Sequence, residues 1–402
     1  MHATHPDSTS FRLPPDVEEF CEVARRIVRD ELLPLEQQFM ASPKQSYGLP
    51  EIANIRNVFP KEVADRLEKI SRDTGLWYLQ VPEENGGLGL SMLAQVAIQE
   101  QLMYTAVPLP MAHVGNILAE CRGDQVERFL RPVIEGEKTT AFAQTEPNAG
   151  SDPGGMMQTR AVRHGDGWLI NGTKMWISNA DNCDFLMLQA LTDPDKRQRG
   201  GITMFLVERR NPGVKVQVPG IPTWLGPTAK QHIVHFENCY VPDEDVLGEV
   251  GKGFTLGQVW LTIHDRLLRG PYALGKMQRA LDMSVEWAKQ RSTFGQLLSE
   301  RQGVQFKLAD MYVDIQALRS MTYTMSARAD SGEDVRAEAA LIKLCSGEWG
   351  ARCLDTAIQI HGAMGQSLEL PLTLFYRYLR HAQIGGGAND IQRILIARKL
   401  LK

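Results

Sequence analysis

No run in the 402-residue sequence approaches the roughly 18 consecutive apolar residues that a membrane-spanning helix needs. Nor is there an excess of basic charge. The chain carries 44 Lys and Arg against 48 Asp and Glu, a net charge of −4, so no general positive field would draw it to nucleic acid or to an anionic membrane. Cysteine is scarce and scattered: positions 21, 121, 183, 239, 345 and 353 make no CxxC and no Cys/His ligand spacing. That pattern argues against a structural disulfide or a bound metal and for reduced thiols in a cytosol-like compartment. The opening MHATHPDSTS has no basic start followed by an apolar core, so a cytoplasmic chain without a signal peptide is expected. Residues 1–14 are expected to form a mobile tail.

What is present is a soluble composition, 43% hydrophobic and 23% charged, on a chain long enough for two or three domains. From residue 15 to about 138 the period is helical. In DVEEFCEVARRIVRDELLPLEQQF, Val17, Phe20, Val23, Ala24, Ile27 and Val28 share one stripe. Near residue 140 the texture changes to short β-branched and aromatic runs such as WLINGTKMWISNA, DFLMLQAL, GITMFLVERR and QHIVHFENCYV. The Asn171-Gly172 pair predicts a hairpin turn there. After about residue 251 the helical period returns and holds to the end. The expectation is an α+β protein with an N-terminal helical domain (15–138), a central antiparallel β-barrel domain (139–251) and a C-terminal helical bundle (252–402).

Three stretches are dense in groups that bind ligands. TEPNAGSD, residues 145–152, alternates hydrogen-bonding side chains with Pro, Ala and Gly, a loop able to cradle a polar ring or a phosphate. Alone, it is an ordinary turn. KMWISNA, 174–180, offers Trp176 as a flat apolar wall and Ser178 as a donor at its edge. GGGAND, 385–390, places three glycines before a basic helix, where backbone and amide groups can approach an anion closely.

Read with RSTFGQLLSERQ at 291–302, QIHGAMG at 359–365 and GANDIQRILIAR at 387–398, these stretches resemble, in the same order, five motifs of the acyl-CoA dehydrogenase flavoproteins. The resemblance covers residue 15 to the end, and it includes the family branch with an extended N-terminal helical domain. It implies FAD, with Phe142, Gln144, Thr145, Ser151, Trp176, Ile177 and Ser178 around the isoalloxazine ring. It also implies a homo-oligomer, dimer or tetramer, in which Arg291, Phe294 and Gln302, with Gln359, Ile360, Gly362 and Ala363, reach the cofactor of another subunit. Ala388, Asn389 and Asp390 would lie at the FAD. Ser151, Gly386 and Gly387 would border the acyl-CoA thioester, and an electron-transfer flavoprotein or similar acceptor would take the electrons.

Many members of this family carry a catalytic glutamate where this chain has Gly386. Glycine cannot accept a proton, and forming a 2-enoyl-CoA requires a group that takes the α-proton. A minority resembling the isovaleryl-CoA and long-chain enzymes holds the base on an earlier helix, in a pattern like LERLVLAxGxxGxMQ. Here LTIHDRLLRGPYALGKMQ, anchored on Gly275, Met277 and Gln278, puts Asp265 at that place, followed by Arg266. Helical spacing sets Leu261, Asp265 and Leu268 on one face; the same spacing also allows a plain i, i+4 pair with Arg269. Asp265 is thus the candidate base and Arg266 a substrate-proximal cation. His264 is a second candidate beside the substrate, and Glu369 and Asp390 are further acids. The alternatives to dehydrogenation are an oxygen-using or non-oxidising flavoprotein of the same fold, and a non-catalytic acyl-CoA-binding subunit.

Overall fold

The computed structural model describes residues 13–40, 59–112, 117–224 and 231–401. The first twelve residues of the expected tail, and most of the Pro-punctuated connection at 40–60, lie outside them.

Helices open the chain. Pro15–Ile27 (α1) and Leu33–Met40 (α2) are joined through a π-helical turn, and Lys61–Asp73 (α3), Met92–Leu102 (α4) and the short Arg131–Ile134 (α5) follow. Helix α1 has Asp16 and Glu18 in its first turn and Arg25 and Arg26 in its last, charges matched to the helix dipole. The start of α4 is held from outside its own domain. Met92 and Leu93 donate their N–H groups to the Asp330 carboxylate at 2.7 and 2.9 Å, while Ser91 accepts from Ala94, so two of the helix's orphan donors are satisfied by the C-terminal helices.

The middle segment is a sheet of eight strands: Thr140–Ala143 (β1), then, after the short helix Pro153–Met156 (α6), Arg160–His164 (β2), Gly167–Ser178 (β3), Phe185–Leu191 (β4), Ile202–Glu208 (β5), Val214–Val216 (β6), Gln231–Pro242 (β7) and Val246–Leu247 (β8). Their order is β6-β7-β3-β2-β4-β5-β8, with β1 also on β4. The expected three-part architecture is present, but the barrel is a sheet that does not close. It is also mixed, because β1 and β2 both pair with β4 in parallel. Asn171-Gly172 is not a hairpin turn. It lies inside β3 at a register irregularity against β7, and the tight turn is at Gly165-Asp166, where His164 pairs with Gly167. The twelve-residue partner β7 keeps β3 extended through the Asn-Gly pair and turns it into a bulge.

Helices return with Gly253–Val259 (α7), a π-helical turn Trp260–Asp265 and Arg266–Gln290 (α8). A small hairpin of Ser292–Thr293 (β9) and Gln296–Leu297 (β10) precedes Gln302–Asp330 (α9), Arg336–His361 (α10), Leu372–His381 (α11) and Asn389–Leu400 (α12). Two contacts fix the continuous helical segment from α7 through the π turn to α8, which carries the candidate base Asp265 at the end of the turn. At Gly275 a Cβ would lie 2.5 Å from the Met103 carbonyl carbon and 2.6 Å from the Glu100 oxygen, so only glycine lets α8 approach the end of α4. At the other end, Gln189 of the buried strand β4 accepts from Gln144 and donates to the Gly253 carbonyl at 2.8 Å, tying the sheet to the first residue of α7. Glu100 completes the seam, with Arg319 at 2.7 Å and the Tyr323 hydroxyl at 2.9 Å. The helix bearing Asp265 is therefore clamped between sheet and N-terminal helices.

Candidate active site

Sheet and loop meet first at a buried ion pair. Lys174, fully buried in β3, donates to Glu146 Oε1 at 2.9 Å and to the Gln144 carbonyl at 2.9 Å. Glu146 also accepts the backbone N–H groups of Gln158 and Thr159, and Met175 donates its N–H to the Thr145 carbonyl at 2.9 Å. Burial raises the Glu146 pKa, but Lys174 and these donors outweigh it and hold the carboxyl below its ordinary value. Burial lowers Lys174 to about 8, against the pull of Glu146. Neither residue is singled out by the sequence, although both sit inside quoted motifs. The pair gives TEPNAGSD one shape against β3.

Just past Lys174 the strand breaks register against β7, between Lys174 and Ile177. Trp176 has φ 61°, an outlier for an aromatic residue, and its side chain is 48% exposed. Backbone strain of this kind costs about 1–3 kcal/mol and concentrates at functional sites. The bulge turns the indole out of the sheet as an open flat face. Ser178 exchanges hydrogen bonds with the Gln231 side chain, Phe142 and Thr145 are half-buried, and Ser151 is exposed. Two expected ring neighbours face inward: Ile177 lies in the sheet core and Gln144 donates its amide to Gln189.

The base corner is built by α8 and the glycine turn. Asp265 Oδ1 accepts from Arg269 Nη2 at 2.7 Å, with the carboxylate 14% exposed. Asp265 Oδ2 is buried and has no hydrogen-bond partner. A side chain at Gly386 would put its Cβ 3.2 Å from that oxygen and 3.5 Å from Arg269 Nη2. Gly386 and Gly387 have φ of 65° and 87°, and neither donates its N–H to another described residue. An unsatisfied carboxylate oxygen thus lies beside the glycine turn, whose Gly386 and Gly387 amides make no bond to another described residue. The π turn ends at Asp265, so the simple 3.6-residue wheel that put Leu261 with Asp265 does not apply across it.

Other expected residues fall around this corner. Arg266 is 6% exposed with its Nε unsatisfied, and burial lowers its pKa. His264 is buried against Gln95 of α4, 3.2 Å away, and burial lowers its pKa too. Asn389 spends its side chain on Lys343, the Leu344 carbonyl and Glu348, and Ala388 is half-buried beside it. Glu369 is exposed, as is the Asp390 side chain, 90% open next to Arg393. Lys343 is a residue that sequence reasoning missed: it lies buried behind the turn and donates to the Gly387 carbonyl at 2.6 Å and to Asn389 Oδ1 at 2.9 Å. Its only signal was a lysine within the apolar run ALIKLC.

Arg291, Phe294 and Gln302 lie on an outer edge formed by the end of α8, the β9–β10 hairpin and the start of α9, and all three are exposed; Phe294 is 100% exposed with φ 49°. Trp287, one turn before Arg291, stacks on His361 at 5.4 Å. That contact brings the exposed Gln359, Gly362 and Ala363, with Ile360 buried between them, to the same edge.

Comparison with known proteins decides the family. Sequence profiles of the acyl-CoA dehydrogenase N-terminal, middle and C-terminal domains match residues 14–137, 141–239 and 251–401. The chain belongs to the acyl-CoA dehydrogenase family. It is 33% identical over 396 residues to the (R)-benzylsuccinyl-CoA dehydrogenase of Thauera aromatica, covering 94% of each chain. It is 33% identical over 352 residues to the caffeyl-CoA reductase-Etf complex subunit CarC of Acetobacterium woodii, covering 86% of this chain and 90% of that one. The butyryl-CoA dehydrogenase structure from Megasphaera elsdenii superposes with a TM-score of 0.82 at 29% identity, over 98% of this chain and all of that one. The protein is an FAD-dependent oxidoreductase of this family, and its residues fit the cofactor: an exposed indole on a strained bulge, a loop locked by a buried ion pair and a glycine turn with open amide donors.

The buried lysine behind the turn gives this acyl-CoA dehydrogenase a measurable pH dependence. Burial, then the neighbouring Arg269, lower Lys343 to about 7, against about 10.4 in an unfolded chain. Between those values the unfolded chain holds a proton that the native state has released, so native stability rises with pH across this window. The contribution is complete above about pH 10.4 and lost as pH falls to about 7. Urea unfolding from pH 7 to 9 is therefore expected to show a shallower rise in stability for Lys343→Met than for the parent.

Proposed function

We propose that Asp265 removes the α-proton of an acyl-CoA thioester, the step by which this dehydrogenase forms a 2-enoyl-CoA. The observation that carries the reading is the 3.2 Å between the absent Cβ of Gly386 and the unpartnered Asp265 Oδ2. A carboxylate at the end of the π turn that leads into α8 lies beside the space that a side chain at 386 would enter. In many members of the family that side chain is the base, so the glycine vacates the position and the aspartate supplies the acid group.

When bound, FAD supplies the acceptor for the β-hydrogen, which leaves as hydride. Trp176 offers its indole face to the ring, with Phe142, Thr145, Ser151 and Ser178 at its edges. The N–H groups of Gly386 and Gly387 are placed to polarise the thioester carbonyl as negative charge develops on it, the type of stabilisation that contributes most in a dry site. Lys343 holds the turn from behind by its bond to the Gly387 carbonyl. Arg266 and His264 close the buried side of the substrate site. Aspartate is about 1.5 Å shorter than glutamate, and the π turn that ends at Asp265 alters the face on which the carboxylate emerges.

The exposed edge bearing Arg291, Phe294 and Gln302, with Gln359, Ile360, Gly362 and Ala363 beside it, supports a homo-oligomer, dimer or tetramer, in which these residues meet the FAD of another subunit. The further exposed Phe306, Tyr312 and Val313 on α9 extend that apolar edge. Likeness to a subunit named for its complex with Etf supports an electron-transfer flavoprotein as acceptor. No described helix is long and apolar enough to cross a membrane. All six cysteines are free and buried, which supports a reducing, cytoplasmic setting.

Anaerobic mixing with a panel of acyl-CoAs tests the reading. Bleaching of the flavin without oxygen, reversed by a ferrocenium-type acceptor, is expected. Oxygen uptake would indicate an oxidase, and a perturbed but unbleached spectrum a binding subunit. Gly386→Ala is expected to slow bleaching by up to about 100-fold, because a displacement of about 1 Å in the reacting groups has that effect. The left-handed backbone there adds a stability loss of about 1–2 kcal/mol, read as a lower Tm.

A further inference from the structure

The glycine turn has no side chain of its own to hold it. Gly385, Gly386 and Gly387 follow one another, and the last two have positive φ, so the backbone there takes many conformations until something outside fixes it. Its two ends are tied to α10 by neutral bonds. Gln383 donates to the Gly347 carbonyl at 3.0 Å and accepts the Asn389 N–H at 2.9 Å, and Asn389 Nδ2 donates to the Leu344 carbonyl at 3.3 Å. The approach is close, because a Cβ at Gly347 would lie 2.8 Å from Gln383 Cγ.

The centre of the turn is held differently. The Gly387 carbonyl accepts from Gln392 Nε2 of α12 at 2.9 Å and from Lys343 Nζ of α10 at 2.6 Å, and the lysine gives a second bond to Asn389 Oδ1 at 2.9 Å. A bond from an ammonium is about twice as strong as one from an amide. Of the two side chains that donate to this carbonyl, Lys343 is therefore the stronger holder and the one that can lose its charge. It is 1% exposed, so it acts through the turn and not on the thioester.

We propose that Lys343 is a positioning residue for the reaction: its ammonium draws the Gly387 carbonyl onto α10 and so sets where the Gly386 and Gly387 amides point, and loss of its proton slackens that hold. The proposal rests on these amides polarising the thioester carbonyl. Negative charge develops on that carbonyl as the α-proton leaves, so a misplaced turn costs rate more than it costs binding. Burial, then Arg269, bring Lys343 to about 7, with Asp265 and Glu348 opposing the change and Arg266 adding to it. Rising pH thus has opposite effects near neutrality: native stability increases, while the turn loosens and the α-proton leaves more slowly. Two histidines lie close by. His381, at the end of α11, has its Nε2 3.0 Å from the Cβ that Gly385 lacks, and His264 on the π turn faces Gln95 of α4. A methionine at 343 leaves both in place, so a pH dependence that survives it belongs to them.

The test is the limiting rate of anaerobic bleaching of the FAD-loaded enzyme at saturating acyl-CoA, measured from about pH 6.5 to about pH 9. The parent is expected to slow at least about tenfold across this range. Lys343→Met is expected to bleach about 10–100-fold more slowly than the parent at about pH 6.5, the scale on which a shift of about 1 Å acts, and to show no such fall. It should need no more than about threefold more acyl-CoA for half-saturation, because the lost interaction belongs to the transition state. Lys343→Arg, which stays charged throughout, is expected to bleach faster than the methionine variant and to lose the alkaline fall. A parent rate that does not fall, a fall that survives in either variant, or a methionine variant that loses stability but bleaches like the parent overturns the inference and leaves the dehydrogenase reading intact. Flavin that stays yellow with every acyl-CoA overturns both.

Discussion

Asp265→Asn is expected to bleach its flavin about 10²–10⁴-fold more slowly than the parent with the best acyl-CoA, the range lost when a general base is removed. FAD content and Tm are expected to change little. Asparagine keeps the shape of the carboxylate and still offers an oxygen to Arg269, so the ion pair of 2.7 Å becomes an ordinary hydrogen bond. What disappears is the capacity of the second oxygen, buried and unpartnered beside Gly386, to take a proton. Stopped-flow absorbance under anaerobic conditions measures the rate, and binding of a non-reacting thioether analogue of the substrate shows whether the site still accepts its ligand. Parent-like bleaching in this variant would remove Asp265 from the reaction and bring His264, Glu369 and Asp390 back for consideration. The structure makes each of them a poor substitute: His264 is bonded to Gln95, and the two acids are exposed.

The largest loss of stability is expected at Lys174→Met. The lysine is fully buried and holds Glu146, itself buried, at 2.9 Å. Removing one partner of such a pair costs about 3–5 kcal/mol, because the remaining charge has neither water nor counter-ion. The damage is also local, since Lys174 and Glu146 lock TEPNAGSD to β3 next to Trp176. The variant is therefore expected to show both a lower Tm and FAD lost on gel filtration. Adding Glu146→Gln should recover part of the stability by removing the unpaired charge, but not the cofactor affinity. Equal recovery of both would mean that the pair only supports the fold.

Much of this was legible in the sequence because the family motifs are local. TEPNAGSD and KMWISNA mark the loop and the strand, and the helix–sheet–helix order follows from the change of hydrophobic period near residues 140 and 251. The anchoring of α8 on Gly275, Met277 and Gln278 led to Asp265, and the contact of Gly275 with the Met103 backbone gives that glycine a physical role. Other features depend on register, which one strand cannot reveal. The Glu146–Lys174 pair joins positions 28 residues apart, and it exists only because β3 runs beside the loop. Asn171-Gly172 has turn chemistry, yet the long partner β7 holds it inside a strand. The open, mixed sheet also differs from the expected antiparallel barrel, because local alternation shows that strands exist and not which of them are neighbours. Lys343 escaped notice for a similar reason: nothing in its helix shows that its ammonium meets the carbonyl of Gly387, 44 residues later.

The central claim is that positions 265 and 386 address one point in space, so the acid group can stand on either. The most direct measurement moves it. Asp265→Gly alone should bleach at the level of Asp265→Asn; adding Gly386→Glu should restore the anaerobic bleaching rate at least about tenfold, the scale on which a placed carboxylate acts in proton transfer. A folded, FAD-loaded double variant no faster than Asp265→Gly would contradict the account.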